Sequence, residues 1–399
     1  MKRVLFFAAT TGYQVREFAE AARALDVELV LATDRCHILE NPWGDNASAV
    51  RFEDPEPGIE SLAARGPFDG ILAVGDRPAC VAAQAAERMG LRFHPANAAR
   101  AAANKLLTRE RFSAAGLRVP GFSVFSASSH AGNNRYPCVL KPLNSSASSG
   151  VIRANNLEEF RQAFGRISRM HVGDILVEDY IPGREFALEG VVTEGTLHTL
   201  ALFDKPDPLE GPYFEETIYV TPSRQPEDIQ RQIQEAAQAA VTALSLTHGP
   251  VHAEMRVTGD AVWMLEVAAR PIGGLCARVL RFGAPYLTLE RLLLRHALGE
   301  DVSSAMLNPG AHGVMMIPIP HAGVYRGVLG LQDARAVQGV EDIVITAKEG
   351  QQMLPLPEGS AYLGFLFFRG SSADTVEKGL REAHQRLQFL LPPALPVVK

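Results

Sequence analysis

Buried strands alternating with helices are the strongest constraint this chain places on its own fold. Residues 4–9, 27–32 and 69–74 are apolar runs of strand length, separated by an alanine-rich helical stretch reaching Leu25 and followed by a second helical stretch ending at Gly90. Strands that are apolar throughout belong in a sheet covered on both faces. Strand–helix–strand repeats of this kind close as a parallel sheet with right-handed crossovers. Asp76 is placed to cap the second helix, with Pro78 in its first turn. The loop at Gly12 lacks the full GxGxxG pattern, so it carries no dinucleotide signature. The opening MKRVLFFAATTGYQ reads as a first strand, since its apolar run stops at Thr10 and no small-residue cleavage site follows.

The pattern changes near residue 100. A helix over 105–115 stops at Gly116, and strands follow at 137–141, 175–180, 185–193 and 197–204. Ile229, Ile233, Ala237, Val241 and Leu244 mark an amphipathic helix that Gly249-Pro250 is expected to terminate. A hairpin over 251–268, strands at 313–319 and 362–368, and a last helix over 373–389 complete the pattern. For 399 residues this implies three parts. They are an α/β domain over 1–100, an α+β domain over 101–304 and an α+β domain over 305–399. A net charge of −6 without any lysine/arginine block excludes nucleic acid and anionic lipid as expected partners, and no apolar run is long enough to span a membrane. Four scattered cysteines (Cys36, Cys80, Cys138, Cys276) form neither a disulfide framework nor a metal motif, which points to the cytoplasm.

The segment VHAEMRVTGDAVWMLEVAARPIGG carries the most chemistry. Strand parity puts Val251, Ala253, Met255, Val257, Trp263, Leu265 and Val267 on a core face, and His252, Glu254, Arg256, Glu266 and Arg270 on the other. A three-residue turn at Gly259 sets Glu254 opposite Glu266. Two carboxylates so close repel by about 3 kcal/mol at an effective dielectric of about 20. A divalent cation held by both would offset this, and hard oxygen donors suit Mg²⁺. A solvated face neutralised by Arg256 and Arg270 is the alternative, and a one-residue register slip would separate the pair.

Other pieces point to a nucleotide. Lys141 ends the apolar strand PCVLK, and the loop NSSASSGV after it is made of small residues whose backbone N–H groups can approach an anion. In ILVEDYIPGREFALEG, Glu178 and Glu185 flank a Pro-Gly turn, where a strand exit could read an adenine edge and a carboxylate could accept ribose hydroxyls. A flexible turn and a surface hairpin are the plain alternatives for these two segments. No P-loop, HExxH, GxSxG or kinase motif set occurs, and Gly249-Pro250 argues against a helical zinc pair at His248 and His252.

Taken in order, Lys105, Lys141, the small-residue loop, Glu178, Glu185, Glu254, Glu266 and Arg270 resemble the ATP-grasp superfamily along nearly the whole chain. NKLLTRERFSAAGLRVPGF is similar to that family's NK…R…L…AG…P entry to the domain, and SSGV to its SxGV loop. PYFEETIYVTPS and EVAARPIGG resemble the EETGHxxPS and EVNxRxGG segments of the carboxylate–amine ligases that join L-amino acids into dipeptides. The resemblance implies a Rossmann-like pre-ATP-grasp domain, a two-lobed ATP-grasp domain with a lid over about 120–175, and a C-terminal α+β domain. It implies that Lys105, Lys141, Ser148, Ser149 and Gly150 hold ATP phosphates. Glu178, Asp179 and Ile181 would line the adenine, and Glu185 the ribose. Glu254 and Glu266 would hold Mg²⁺, with Mn²⁺ as its substitute. Arg270 would face the transferred phosphoryl group, and Glu216 the amine substrate or a metal. The implied reaction joins a carboxylate to an amine, both amino acids, through an acyl phosphate, releasing ADP and phosphate in a homodimeric enzyme. A purine-biosynthesis or carboxylase-type ligase, an ATP-grasp kinase and a non-catalytic nucleotide-binding module are the competing readings. Two positions depart from the pattern: Ala268 stands where an asparagine metal ligand is usual, and Tyr219 where the dipeptide ligases carry histidine.

Overall fold

The computed structural model describes the chain except residues 10–13, 35–46, 127–134, 284–286, 360 and 395–399, so Gly12 and Cys36 lie outside the described residues. The first sheet contains β1 (Lys2–Ala8), β2 (Val27–Thr33), β3 (Ala47–Ala49) and β4 (Gly70–Val74), all parallel, in the order β3-β2-β1-β4. The apolar strands are buried on both faces, as expected: Leu5 and Phe7 pack in one core, Val4 and Phe6 in another. The helices α1 (Gln14–Ala24) and α2 (Glu56–Ala64) connect the strands, and α3 (Asp76–Met89) follows β4. Asp76 does not cap α3. Gly75 occupies the cap position at a φ of 95°, no side chain caps the helix, and Asp76 is its first residue.

After α4 (Ala96–Ala102) and α5 (Lys105–Ala114), a small antiparallel sheet is built from β5 (Phe122–Phe125), β6 (Cys138–Pro142), β7 (Ile152–Ala154) and β8 (Ile175–Asp179), ordered β5-β8-β6-β7. It buries its apolar face under α6 (Leu157–Met170), through Phe160, Ala163 and Ile167. The large sheet holds β9 (Arg184–Thr193), β10 (Thr196–Lys205), β11 (Ile218–Thr221), β12 (His248–Thr258) and β13 (Ala261–Ala268). Strands Ala311–Ile317, Gly364–Gly370 and Val340–Ile345 extend it beyond β11, so one antiparallel sheet of eight strands runs across residue 305. The helix α7 (Glu227–Leu244) packs on β13 and β10, while α8 (Leu289–Ala297) packs on α1 and β4. No helix among the described residues is long and apolar enough to cross a membrane.

Two boundaries differ from the sequence reading. α7 ends at Ser245, which takes a left-handed φ of 62°, and Gly249-Pro250 lies inside β12. Pro250 sits beyond the end of β13, where β12 has only β9 beside it, and such a one-sided stretch tolerates proline. Gly249 is required by a close neighbour and by its φ of 133°, since a Cβ there would meet His94 Nε2 at 3.0 Å. The last long helix stops at Gln385, and Gln388–Leu390 forms a short strand instead of its final turn.

The ring of His94 is buried against β12 and donates from Nε2 to Pro250 O at 3.1 Å. Burial pushes its pKa down to about 4, whereas the unfolded chain protonates near 6.5. Acidification through that window therefore favours unfolding. In urea titrations at pH 7.5 and 4.5, the stability lost on acidification should be about 2 kcal/mol smaller in His94→Gln than in the parent chain.

Candidate active site

The carboxylate hairpin keeps its expected pairing by a different route. Thr258 pairs with Ala261, so the turn has two residues, Gly259 and Asp260, not three. A bulge between Glu254 and Met255 then restores the register, and Glu254 faces Glu266. The changed turn reverses the parity of the outer part of β13. Val262 and Met264 enter the core, while Leu265 turns to the cavity and Trp263 is half-buried. Trp263 and Leu265 are thus not core residues as the strand pattern implied.

One cavity of about 1110 Å³ collects most of the residues singled out in the sequence: Lys105, Lys141, Ser148, Glu178, Asp179, Ile181, Glu185, Glu216, Glu254, Glu266 and Arg270 all line it. Ser149 and Gly150 do not. The Gly150 N–H turns to Pro357 O at 3.3 Å. The loop bends through Ala147, Ser148 and Gly150, all at positive φ, and presents Ser145 to Ser148 to the cavity.

Sequence reasoning missed Lys205. Its ammonium lies at the end of β10, 2.9 Å from Glu185 and 2.7 Å from Glu254, and it also donates to Glu216. The signal was present, because Lys205 ends the apolar strand LALFDK just as Lys141 ends PCVLK. Burial alone would strip its proton, but the three carboxylates hold its pKa well above the ordinary lysine value. Burial pushes Glu216 up as well. Lys205 opposes this and repulsion from Glu254 adds to it, leaving the carboxyl at about 7. Burial likewise opposes ionisation of Glu254, yet Lys205 and His252 keep its pKa well below the ordinary value. Oxygens of Glu185, Glu216 and Glu254 lie within 4.8 Å of one another, and Arg256 Nε gives Glu185 a second partner at 2.9 Å.

On the opposite wall, Glu178 is buried and takes both Arg109 and Lys141. Burial would raise it, but these two cations lower it to about 2. Lys105 opens α5, donates to Ser145 O and lies 3.8 Å from Glu266. Ile181 lines the cavity with its carbonyl already accepting from Arg256 at 2.7 Å.

Arg270 donates from Nε to Asp76 at 2.9 Å. Beside it, Glu189 is fully buried. It accepts from Ile272 N at 3.1 Å and pairs with His252, whose other nitrogen is 3.6 Å from Glu254. Ala268 is buried directly across from His252. The ring of Tyr219 is buried with the Lys205 ammonium 5.1 Å from its centre, and Cys276, Met316 and Tyr362 continue that end of the wall. Burial and Glu216 push the Cys276 thiol far above its usual range, so it is no nucleophile here.

Comparison with known proteins agrees with this architecture. Residues 134–279 match the ATP-grasp domain, and residues 315–391 match the L-amino acid ligase C-terminal domain 2. Residues 134–279 thus form an ATP-grasp domain. It is 28% identical over 221 residues to an alanine–anticapsin ligase of Bacillus subtilis, covering 48% of this chain and 46% of that ligase. The chain spans about half the length of the curated relatives it matches. The crystal structure of an L-amino acid ligase from Bacillus licheniformis has the same fold, with a TM-score of 0.84 at 24% identity over 98% of this chain and 99% of that one. A carboxyaminoimidazole ribonucleotide synthase from Aspergillus clavatus, complexed with ATP, gives 0.73 at 17% identity over 96% and 98%. The cavity draws on more than this ATP-grasp domain. Asp76 and Lys105 precede it, and Met316 and Tyr362 belong to the second match.

Replacing Glu178 by Gln leaves Arg109 and Lys141 facing each other in a dry site without their acid. Unfolding free energy should fall by about 3–5 kcal/mol in denaturant titration, and a fall below about 1 kcal/mol would show that the three are not coupled.

Proposed function

We propose that this protein is an ATP-dependent carboxylate–amine ligase that joins amino acids through an amide bond, releasing ADP and phosphate. The observation that carries the reading is the single cavity in which Lys105 and Lys141, the acids around Lys205, the Glu254–Glu266 pair and Arg270 converge. The N-terminal sheet, with its order β3-β2-β1-β4, is read as the Rossmann-like pre-ATP-grasp domain over 1–100, followed by the ATP-grasp domain over 101–304 and the C-terminal domain over 305–399. The match of residues 315–391 to an L-amino acid ligase domain favours amino acids over sugar phosphates as substrates.

The residues present fit a hard divalent cation. The donors are carboxylate oxygens, and the Lys205 ammonium among three of them shows that this cluster accommodates positive charge. Glu254 and Glu266 would hold Mg²⁺, with Glu216 as a further oxygen donor, and Ala268 supplies none. Bound Mg²⁺ would neutralise triphosphate charge, and ATP would supply the phosphoryl group that activates a carboxylate as an acyl phosphate.

The chain itself contributes charge and placement. Lys141, fixed by Glu178, and Lys105, fixed by Ser145 O, present ammonium groups to the phosphates. The backbone at Ser145 to Ser148 offers N–H groups to the same oxygens. Asp179 and Ile181 line the adenine, and Glu185 reaches the ribose. Arg270 faces the acyl phosphate while an incoming amine expels phosphate. The small sheet and its loop close over the site as a lid, which shields the acyl phosphate from water.

Glu254→Gln and Glu266→Gln should each reduce ADP release at least about a thousandfold, because each removes a charge from the cation pair. The reading is tested by a matrix of amino acids and other amines with ATP, followed by phosphate release and product mass. Steady ADP formation with no amide mass in any pair would overturn it.

A further inference from the structure

Asp76 has the sequence signature of a helix cap and is not one. Gly75 holds the cap position, and the Asp76 carboxylate lines the cavity, where Oδ1 accepts from Arg270 Nε at 2.9 Å. An acid in a first helical turn is common on a protein surface. Here the side chains of Asp76 and Arg270 retain only 21% and 14% of their exposure. Arg270 Nη1 also donates to Pro271 O at 3.1 Å, so two separate groups fix the guanidinium plane. The next peptide is held on both sides: Ile272 N donates to Glu189, and Ile272 O accepts from Gln14 at 2.5 Å. Gln14 and Asp76 both belong to the layer built on the first sheet, and they lie 258 and 194 residues from their partners.

Resting on the ligase reading, we propose that Asp76 is a positioning residue for Arg270, through which the first sheet completes the active site. Arginine has many rotamers, and a guanidinium tied at Nε keeps one orientation of its remaining N–H groups. A misplacement of about 1 Å at a reacting group costs on the order of a hundredfold in rate. The role acts on orientation, so it should appear in kcat and leave substrate affinity alone.

Asp76→Asn keeps the shape and an acceptor oxygen but removes the charge that holds the pair. It should lower kcat tenfold to a hundredfold while changing KM for ATP and for the amine by less than threefold. Asp76→Glu should recover part of the loss and serves as the working variant if the asparagine form is unstable. In the double variant with Arg270→Lys, the Asp76 change should add nothing to the loss from Arg270→Lys alone. A second readout needs no turnover: in nitrogen NMR of the substrate-free protein, Arg270 Nε–H should exchange slowly in the parent and at least tenfold faster in Asp76→Asn. Unchanged kcat, a rise confined to the KM of the amine, losses that multiply in the double variant, or unchanged exchange would each overturn the proposal. If the parent makes no amide product, the ligase reading fails separately, and the exchange measurement still decides whether Asp76 orders Arg270.

Discussion

The Lys205 ammonium lies among Glu185, Glu216 and Glu254 with almost no exposure to solvent, and the rest of the site is arranged around that cluster. Three acids against one ammonium leave excess negative charge in a region of poor solvation, which is costly unless it is shared out. The surroundings share it. Arg256 takes the outer oxygen of Glu185, and His252 stands beside Glu254. Burial would discharge His252, but Glu189 and Glu254 raise its pKa to about 9. Glu216, at about 7, sheds part of its charge near neutral pH. Glu254 is held ionised, and its cross-strand partner Glu266 lies near Lys105. Glu254 thus stays ionised because Lys205 and His252 both face it.

The hairpin shows how much of this was legible and why part of it was not. Alternation in VHAEMRV marks one face of β12 correctly, because the extra residue of the bulge lies on β13 and β12 stays regular. Reading β13 required a turn length, and the sequence offered Gly259 without saying whether it opens a two-residue or a three-residue turn. The extra residue is taken up by the bulge at Leu265, so the acids meet although Trp263 and Leu265 change sides. Register between two charged residues was recoverable from the sequence. The path of the chain between them depends on the packing of Val262 and Met264 beneath α7, a tertiary matter.

Local punctuation was less reliable than apolar pattern for the same reason. The runs that became β1, β2, β4 and β9 appear with their limits nearly as read, since burial on both faces leaves few alternatives. Gly249-Pro250 and Asp76 have the composition of a helix stop and a helix start, yet each serves a distant contact. Gly249 makes room for His94, and Asp76 reaches Arg270. Lys205 was overlooked because its partners are scattered over two strands and the loop before β11, and no spacing rule links them.

The large sheet also constrains how the far end of the cavity is set. Tyr219 stands on β11 opposite Val314 of the strand Ala311–Ile317, and that strand in turn pairs with Gly364–Gly370. Asp207, in the loop that follows Lys205, accepts from Thr217, and Arg381 of the helix Ala373–Gln385 donates to Asp207. The placement of Glu216 and Tyr219 is therefore decided from residues beyond 305, although both lie in the region matched to the ATP-grasp domain. The lysine-bearing wall is organised differently: Lys141 and Glu178 pair with each other and with Arg109, and Lys105 donates to Ser145 O. A chain built this way can vary its far wall through the strands that extend the sheet while the lysine-bearing wall stays unchanged. Tyr219, where the resemblance to the dipeptide ligases leads one to expect histidine, stands on that far wall.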